Sequence, residues 1–329
     1  MVRALLTLVL VPIATLPALA EGPAQTLIRL RPGDRFTAKV RYSNVWNEIA
    51  LSFKGPVSDQ PIRPSDLTSA RASLQAASRV EARPIGQDPL FVDMTLSVEV
   101  RDGGRLGVTP QISEVRYFDD RNRRWTIQPG ARGAREQTER LIKDISGEWR
   151  RFLPTSLETE MLEEQLVGAA LCLLSGKTVD MALEPASPDP LLPGFEDLLR
   201  SELPEALPLA IHKSVAWFFR ESIARIVRRT PESASKGSKF EERGVDCEVG
   251  RVQSIKGRST ASITGQAYFA SCGASFKETL LVDQASGIAL EGKAITIRDA
   301  LRGRDARFGA VRWETKLTDF KPAPVTGKP

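Results

Sequence analysis

A single histidine, His212, stands in a chain of 329 residues. Histidine supplies the base in most nucleophilic triads, so a triad here would have to use it. It sits in "LAIHKSVAWFF", a helical context, with no G-x-S-x-G and no Ser or Cys tied to it by spacing. A lone histidine beside an apolar helix face reads as a packed or surface residue. Metal chemistry is equally short of ligands: there is no H-E-x-x-H and no C-x-x-C. Nucleotide-binding patterns are missing too. The glycines of "RDGGRLG" belong to a hairpin, and no P-loop lysine follows them. No catalytic residue, metal or cofactor is therefore assigned. Aromatics are sparse at 6%, and after the first twenty residues no run is apolar enough to span a bilayer.

Cysteines number only three, Cys172, Cys247 and Cys272. Cys172 lies in "GAALCLLSG", apolar on both sides, and reads as a buried, inert thiol. Cys247 and Cys272 flank what reads as two strands around a turn near Gly257–Ser259. Pairing them puts the midpoint between Ser259 and Thr260, so the two would face each other across an antiparallel hairpin. Cα atoms about 4.5 Å apart there are within disulfide range. A Cys247–Cys272 disulfide is expected, worth about 3 kcal/mol on the chain-entropy model.

The opening segment explains that expectation. "MVRALLTLVLVPIATLPALA" has a basic start at Arg3, an apolar middle and a small-residue end at Ala18 and Ala20. This is the pattern of a secretory signal peptide cleaved before Glu21, and export permits disulfides. Pro12 and Pro17 interrupt the run and argue against a permanent anchor. The expected location is the periplasm, or the exterior of the cell. Removing the leader deletes one basic residue and lowers the formal net charge from +5 to +4. A mild positive excess in an exported protein suits anionic lipid headgroups, polysaccharide or an acidic partner better than nucleic acid.

What is abundant is alternation. In "FVDMTLSVEVRDGG", Val92, Met94, Leu96, Val98 and Val100 are apolar and the residues between them polar. "FTAKVRY" (36–42) and "VRWETKL" (311–317) repeat the pattern. A period of two means one wet face and one dry face, the habit of antiparallel sheets. Asp102-Gly103-Gly104, Asp119 to Asn122, and Asp283 with Gly287 punctuate these runs as hairpin turns.

The middle third changes period. Helical stripes run over 135–153 (Leu141, Ile142, Ile145, Trp149) and 156–175 (Leu157, Met161, Leu162, Leu166). A short helix follows near Phe195–Leu203, and a longer one over 208–229 (Val215, Phe218, Phe219, Ile223). Glu160, Glu163 and Glu164, with Glu158 nearby, fall opposite the second stripe and read as a solvated face rather than acid–base machinery. Arg225, Arg228 and Arg229 gather at the last helix's C-terminus, where the dipole favours cations. "RNRRW" places Arg121, Arg123, Arg124 and Trp125 at a hairpin tip, a candidate contact for an anionic group such as phosphate or a lipid headgroup.

Strands, then helices, then strands indicate the α+β class: antiparallel, mostly meander sheet with one apolar face covered by a central block of three to four helices. The expected organisation is a leader at 1–20, a β-rich part at 21–130 and a helical part at 131–230. A connector at 231–243, a β-rich part at 244–321 and a disordered tail at 322–329 complete it. Whether the two β-rich parts join into one sheet stays open. In plan, with its leader, one-faced strands, Asp/Gly hairpins and intervening helices, the chain resembles exported carriers of lipids and lipoproteins of the bacterial envelope. The expected function is a non-enzymatic envelope protein that binds an apolar or lipid-like ligand or an envelope partner. Two alternatives stand beside it, an assembly protein that docks another envelope component and a carboxylate-dependent hydrolase.

Overall fold

The computed structural model describes residues 26–27, 29–47, 90–118, 124–149, 157–182, 193–205, 207, 209–231, 235–255, 257–269, 274–302 and 305–323. The expected leader at 1–20, Asp119 to Arg123, Cys272 and the last six residues lie outside them. A two-residue strand, β1 (Thr26–Leu27), comes first. Then β2 (Arg35–Asn47), β3 (Leu90–Arg101), β4 (Arg105–Phe118) and β5 (Arg124–Ile127) pair each with the next, antiparallel. The helices are α1 (Ala134–Trp149), α2 (Leu157–Leu173), α3 (Pro193–Glu202) and α4 (Leu209–Ala224). Between α2 and α3, β6 (Val179–Ala182) returns to pair with Arg105–Val108 of β4. After α4, β7 (Thr230–Pro231) pairs with β1. A second meander follows: β8 (Lys239–Glu242), β9 (Val245–Ile255), β10 (Arg258–Phe269), β11 (Ala274–Asp283), β12 (Ala289–Arg302) and β13 (Asp305–Lys321).

The two meanders are one sheet. β13 pairs with β2 along its length, from Arg35 opposite Lys321 to Asn47 opposite Phe308, with one irregularity between Leu317 and Asp319. This seam closes an eleven-stranded sheet in the order β5-β4-β3-β2-β13-β12-β11-β10-β9-β8, with β6 beside β4. The alternation sets the register. Val92, Met94, Leu96, Val98 and Val100 are all buried, as are Phe36, Ala38, Val40 and Tyr42 opposite them. A slip of one residue would carry that whole set into water, at roughly 1.5–3 kcal/mol for each large side chain.

The helices cover this dry face. Tyr42, Phe218 and Trp313 pack ring against ring, with Tyr42 edge-on to both partners at centroid distances of 5.2 and 4.8 Å. α2 is buried without a break from residue 165 to its end at Leu173, against α1 and α4 on one side and β3 and β4 on the other. Gly168 permits that approach: a Cβ there would lie 2.7 Å from Leu90 Cδ1 and 3.0 Å from Val115 Cγ1.

Several expectations change. Glu163 and Glu164 of α2 do not form a solvated face. Both are half-buried; Ser214 Oγ donates to Glu163 Oε1 at 2.5 Å, and Asn44 Nδ2 donates to Glu164. α4 stops at Ala224, not near residue 229, and the expected connector contains β8, whose Phe240 is buried. The β9–β10 hairpin turns between Ile255 and Arg258, which face each other, with Gly257 at φ +76°. Together with a bulge opposite Ser262, that turn sets Gly265, not Cys272, across from Cys247. The geometric basis for a Cys247–Cys272 disulfide is thereby removed; Cys247 is a free, buried thiol.

Candidate functional site between helix α4 and the sheet

The site begins where α4 ends. Arg225 and Ile226 form a turn, Val227 bridges to Ile288, and the Arg228 N–H donates to the Gly287 carbonyl at 2.9 Å. Gly287 is held at φ +71°, and a Cβ on it would meet the Arg228 carbonyl oxygen at 2.8 Å. The receiving turn is braced from within: Ser286 Oγ donates to Asp283 Oδ2 at 2.5 Å and Gly287 N–H to the Asp283 carbonyl at 2.8 Å. This docking pulls residues 226–229 off the helix axis and onto the β11–β12 turn. The Arg228 side chain then enters the space over the sheet's inner face.

Two carboxylates wait there. Arg228 Nη2 donates at 2.6 Å to Glu278 Oε1 of β11 and lies 2.6 Å from Glu242 Oε2 of β8. Its Nη1 donates to Glu278 Oε2 at 3.0 Å. All three residues are buried. The backbone N–H of Arg229 donates to Glu242 Oε1 at 3.0 Å. Arg225, half-buried, bonds Glu221 at 2.9 Å and Glu278 at 3.3 Å, and its guanidinium carbon sits 4.6 Å from the centre of the Phe276 ring. Burial works against the Arg228 charge, but Glu242 and Glu278 outweigh it and raise its pKa above the ordinary arginine value. The expected helix-dipole role for these arginines is thus replaced, for Arg225 and Arg228, by a paired ion cluster joining the end of α4 to β8 and β11 of the second meander.

Beside the cluster a half-open groove of about 230 Å³ runs between α4 and the sheet. Trp217, Val245, Phe276, Val311 and Trp313 supply apolar wall, and Arg225, Arg243 and Glu221 are among its polar lining. Trp217 is 40% exposed, while Trp313 is buried. Arg243 forms the β8–β9 hairpin turn with Gly244, at φ +56° and +73°. It is exposed as a residue yet lines the groove. Partial burial lowers its pKa, Glu242 opposes that, and Arg228 and Arg220 add to it, so these groups share one electrostatic neighbourhood.

The sheet's other face carries polar depressions. One of about 650 Å³ crosses from Ser113 of β4 to Ser262 of β10, over Lys39, Arg41, Asp93, Lys293 and Glu314. Its charges largely answer one another across strands: Arg41 with Asp93 at 3.3 Å and with Glu314 at 3.8 Å, and Lys316 with Glu291 at 3.4 Å. Exposed pairs of this kind contribute little to stability and give solvated strands their cross-strand order.

The residues singled out from sequence fall elsewhere. Arg121 and Arg123 lie outside the described residues; Arg124 and Trp125 stand in β5, opposite Phe118 and Tyr117. His212 is buried in α4. Cys172 is buried, and burial pushes its thiol up to about 12. Burial does the same for Cys247, also to about 12. Among the described residues no His/Cys/Asp/Glu group could hold a metal, and no helix is long and apolar enough to cross a membrane. Trp217 and Arg243 were missed. A signal for Trp217 existed: Lys213, Trp217 and Arg220 recur at i, i+4 and i+7, off the Val215–Phe218–Phe219 stripe.

The fold is an antiparallel sheet of the α+β class with four helices, and the site is an amphipathic groove at a helix–sheet junction. No protein-family model and no curated protein sequence matches the chain. Among solved structures, one described as "lipid-protein interactions in lipovitellin" superposes at a TM-score of 0.42 with 8% identity, covering 91% of this chain and 26% of that one. The chain thus spans about a quarter of the lipovitellin chain. A superposition that loose assigns neither fold nor ligand.

Proposed function

We propose that the chain is an exported, non-enzymatic envelope protein that binds an apolar or lipid-like ligand in the groove between α4 and the sheet. The signal-peptide pattern of residues 1–20 supports export. The observation that carries the binding reading is the groove itself: indole and phenyl rings line it and guanidinium groups rim it. An amphiphile has that division of chemistry. At roughly 30 Å³ per water-sized group, 230 Å³ holds on the order of eight such groups. This is below the usual 300–1,000 Å³ of a drug-sized site, so the ligand would insert one short apolar segment and leave its polar end at the rim.

Native mass spectrometry after gentle purification tests the reading, with a brominated fatty acid titrated against tryptophan emission as a second probe. Bromine quenches an indole it touches, so emission should fall saturably through Trp217 and Trp313. An empty protein together with unquenched emission defeats the reading.

Two other readings have an observation each. Beyond Val249, no described strand pairs with the outer edge of β9, where Val252 is 40% exposed. An assembly protein would dock an extended partner there. A hydrolase would need two converging carboxylates, and Glu242 and Glu278 do converge. They converge on Arg228, which occupies the space a substrate and water would need.

A further inference from the structure

We infer that the mouth of this groove docks on the surface of an anionic lipid bilayer, with Trp217 entering the headgroup region and Lys213, Arg220 and Arg243 contacting lipid phosphates. Three observations carry it. First, Trp217 is a large aromatic that α4 leaves 40% exposed while Phe218 and Phe219 beside it are buried. An indole, apolar in body with one N–H, is the side chain that partitions to a membrane–water interface. Second, its surroundings are basic. Lys213 and Arg220 flank it on one stripe of α4, and Arg243 approaches from the β8–β9 turn. None of the three makes an ion pair among the described residues. The nearby carboxylate of Glu221 is engaged by Arg225, and the cations over the sheet's polar face sit among carboxylates, Arg41 and Lys316 directly paired. Lys213, Arg220 and Arg243 thus place positive charge with no direct ion-pair partner among the described residues beside the exposed indole.

Third, Arg243 is held in a conformation its residue type disfavours. Both residues of the two-residue turn have positive φ, an arrangement that selects Asn, Asp or Gly at the first position. Arginine there stores strain, and a strained backbone at a site's rim points to use of that side chain. A guanidinium at the groove's mouth can bind a phosphate bidentately, which asparagine cannot do.

The inference adds a partner to the proposed binding site and uses its geometry, but surface docking needs no ligand inside the groove. The two are therefore separable: vesicle binding with an empty groove leaves docking standing and the ligand reading fallen, and the reverse result does the opposite.

The experiment is co-sedimentation of the purified protein with phosphatidylglycerol–phosphatidylcholine vesicles and with phosphatidylcholine alone, at low and high salt, alongside tryptophan emission. The expected result is binding to the anionic vesicles only, loss at high salt, and a blue shift that Trp217→Phe removes. Arg243→Asn should weaken binding about fivefold, the worth of one basic residue near an anionic surface. Its melting temperature should be no lower than wild type, because asparagine suits the turn. That pairing separates lost contact from lost fold. Failure to sediment at low salt, equal binding to both vesicle types, or wild-type binding by both Arg243→Asn and Trp217→Ala would overturn the inference.

Discussion

Arg228 shows how one side chain can decide the state of two others. Glu242 and Glu278 are each 4% exposed, and Arg228 bridges them. Removing it leaves buried Glu242 without its cation and Glu278 with Arg225 alone, at 3.3 Å. Arg228→Ala should destabilise the protein by about 3–5 kcal/mol, read as a lower urea midpoint. A triple replacement, Arg228→Met with Glu242→Leu and Glu278→Leu, should recover most of that loss, because no orphaned charge remains. If the single and triple variants unfold alike, the cluster is not the source of the effect. The buried thiols make an argument of opposite sign. Burial raises Cys172 from 9.0 to about 12, so the folded state keeps its proton where the unfolded chain would release it. The associated stability is fully present below the unfolded value and is lost as pH rises from about 9 toward 12. Cys247 behaves alike. Both thiols should resist maleimide at neutral pH until denaturant is added. The alkaline fall in the unfolding midpoint should be shallower in Cys172→Ala than in wild type.

At the scale of the element, α2 depends on one missing side chain. A Cβ on Gly168 would press on Leu90 and Val115 at 2.7 and 3.0 Å, inside the packed face. Gly168→Ala raises helix propensity yet should cost about 1–3 kcal/mol through overpacking, measurable as a drop in thermal midpoint. A neutral or stabilising result would mean that α2 stands further from the sheet. The same helix marks where sequence reading loses power. Strands with one wet face declare themselves by alternation, and β2, β3 and β13 were legible for that reason. α2 has neighbours on all sides between residues 165 and 173, so its burial leaves no stripe to read. The polar character of Glu163 and Glu164 then suggests solvent where the partners are Ser214 and Asn44. β8 was hidden by the converse effect: "KFEE" reads as polar connector because the partners that let Glu242 be buried, Arg228 and the Arg229 N–H, lie more than a dozen residues earlier. The β9–β10 register departs from the expected one chiefly because the turn falls between Ile255 and Arg258 rather than at Ser259–Thr260, and a bulge opposite Ser262 shifts it by one residue more. Bulges leave no mark in composition.

For the whole molecule, the deciding fact is that the first long strand and the last are neighbours. β13 lies between β2 and β12, so within the sheet the first meander reaches the second only through the last of the described strands. The groove inherits this arrangement: Val311 and Trp313 of β13 wall it, and Trp313 packs on Tyr42 of β2 and Phe218 of α4. Ending the chain after Arg302 should therefore do more than delete an edge. It would open β2 and β12 as two long unpaired edges with apolar faces, the condition for aggregation, and would remove a wall of the site. The truncated chain should collect in the insoluble fraction and show no cooperative thermal transition. Restoring residues 303–329 as a separately expressed segment should return part of it to the soluble fraction, since the β2 and β12 edges specify the register of the missing strand. Two independently folded halves would behave otherwise, with a soluble, cooperatively melting N-terminal part after truncation, and that outcome would contradict a single continuous sheet.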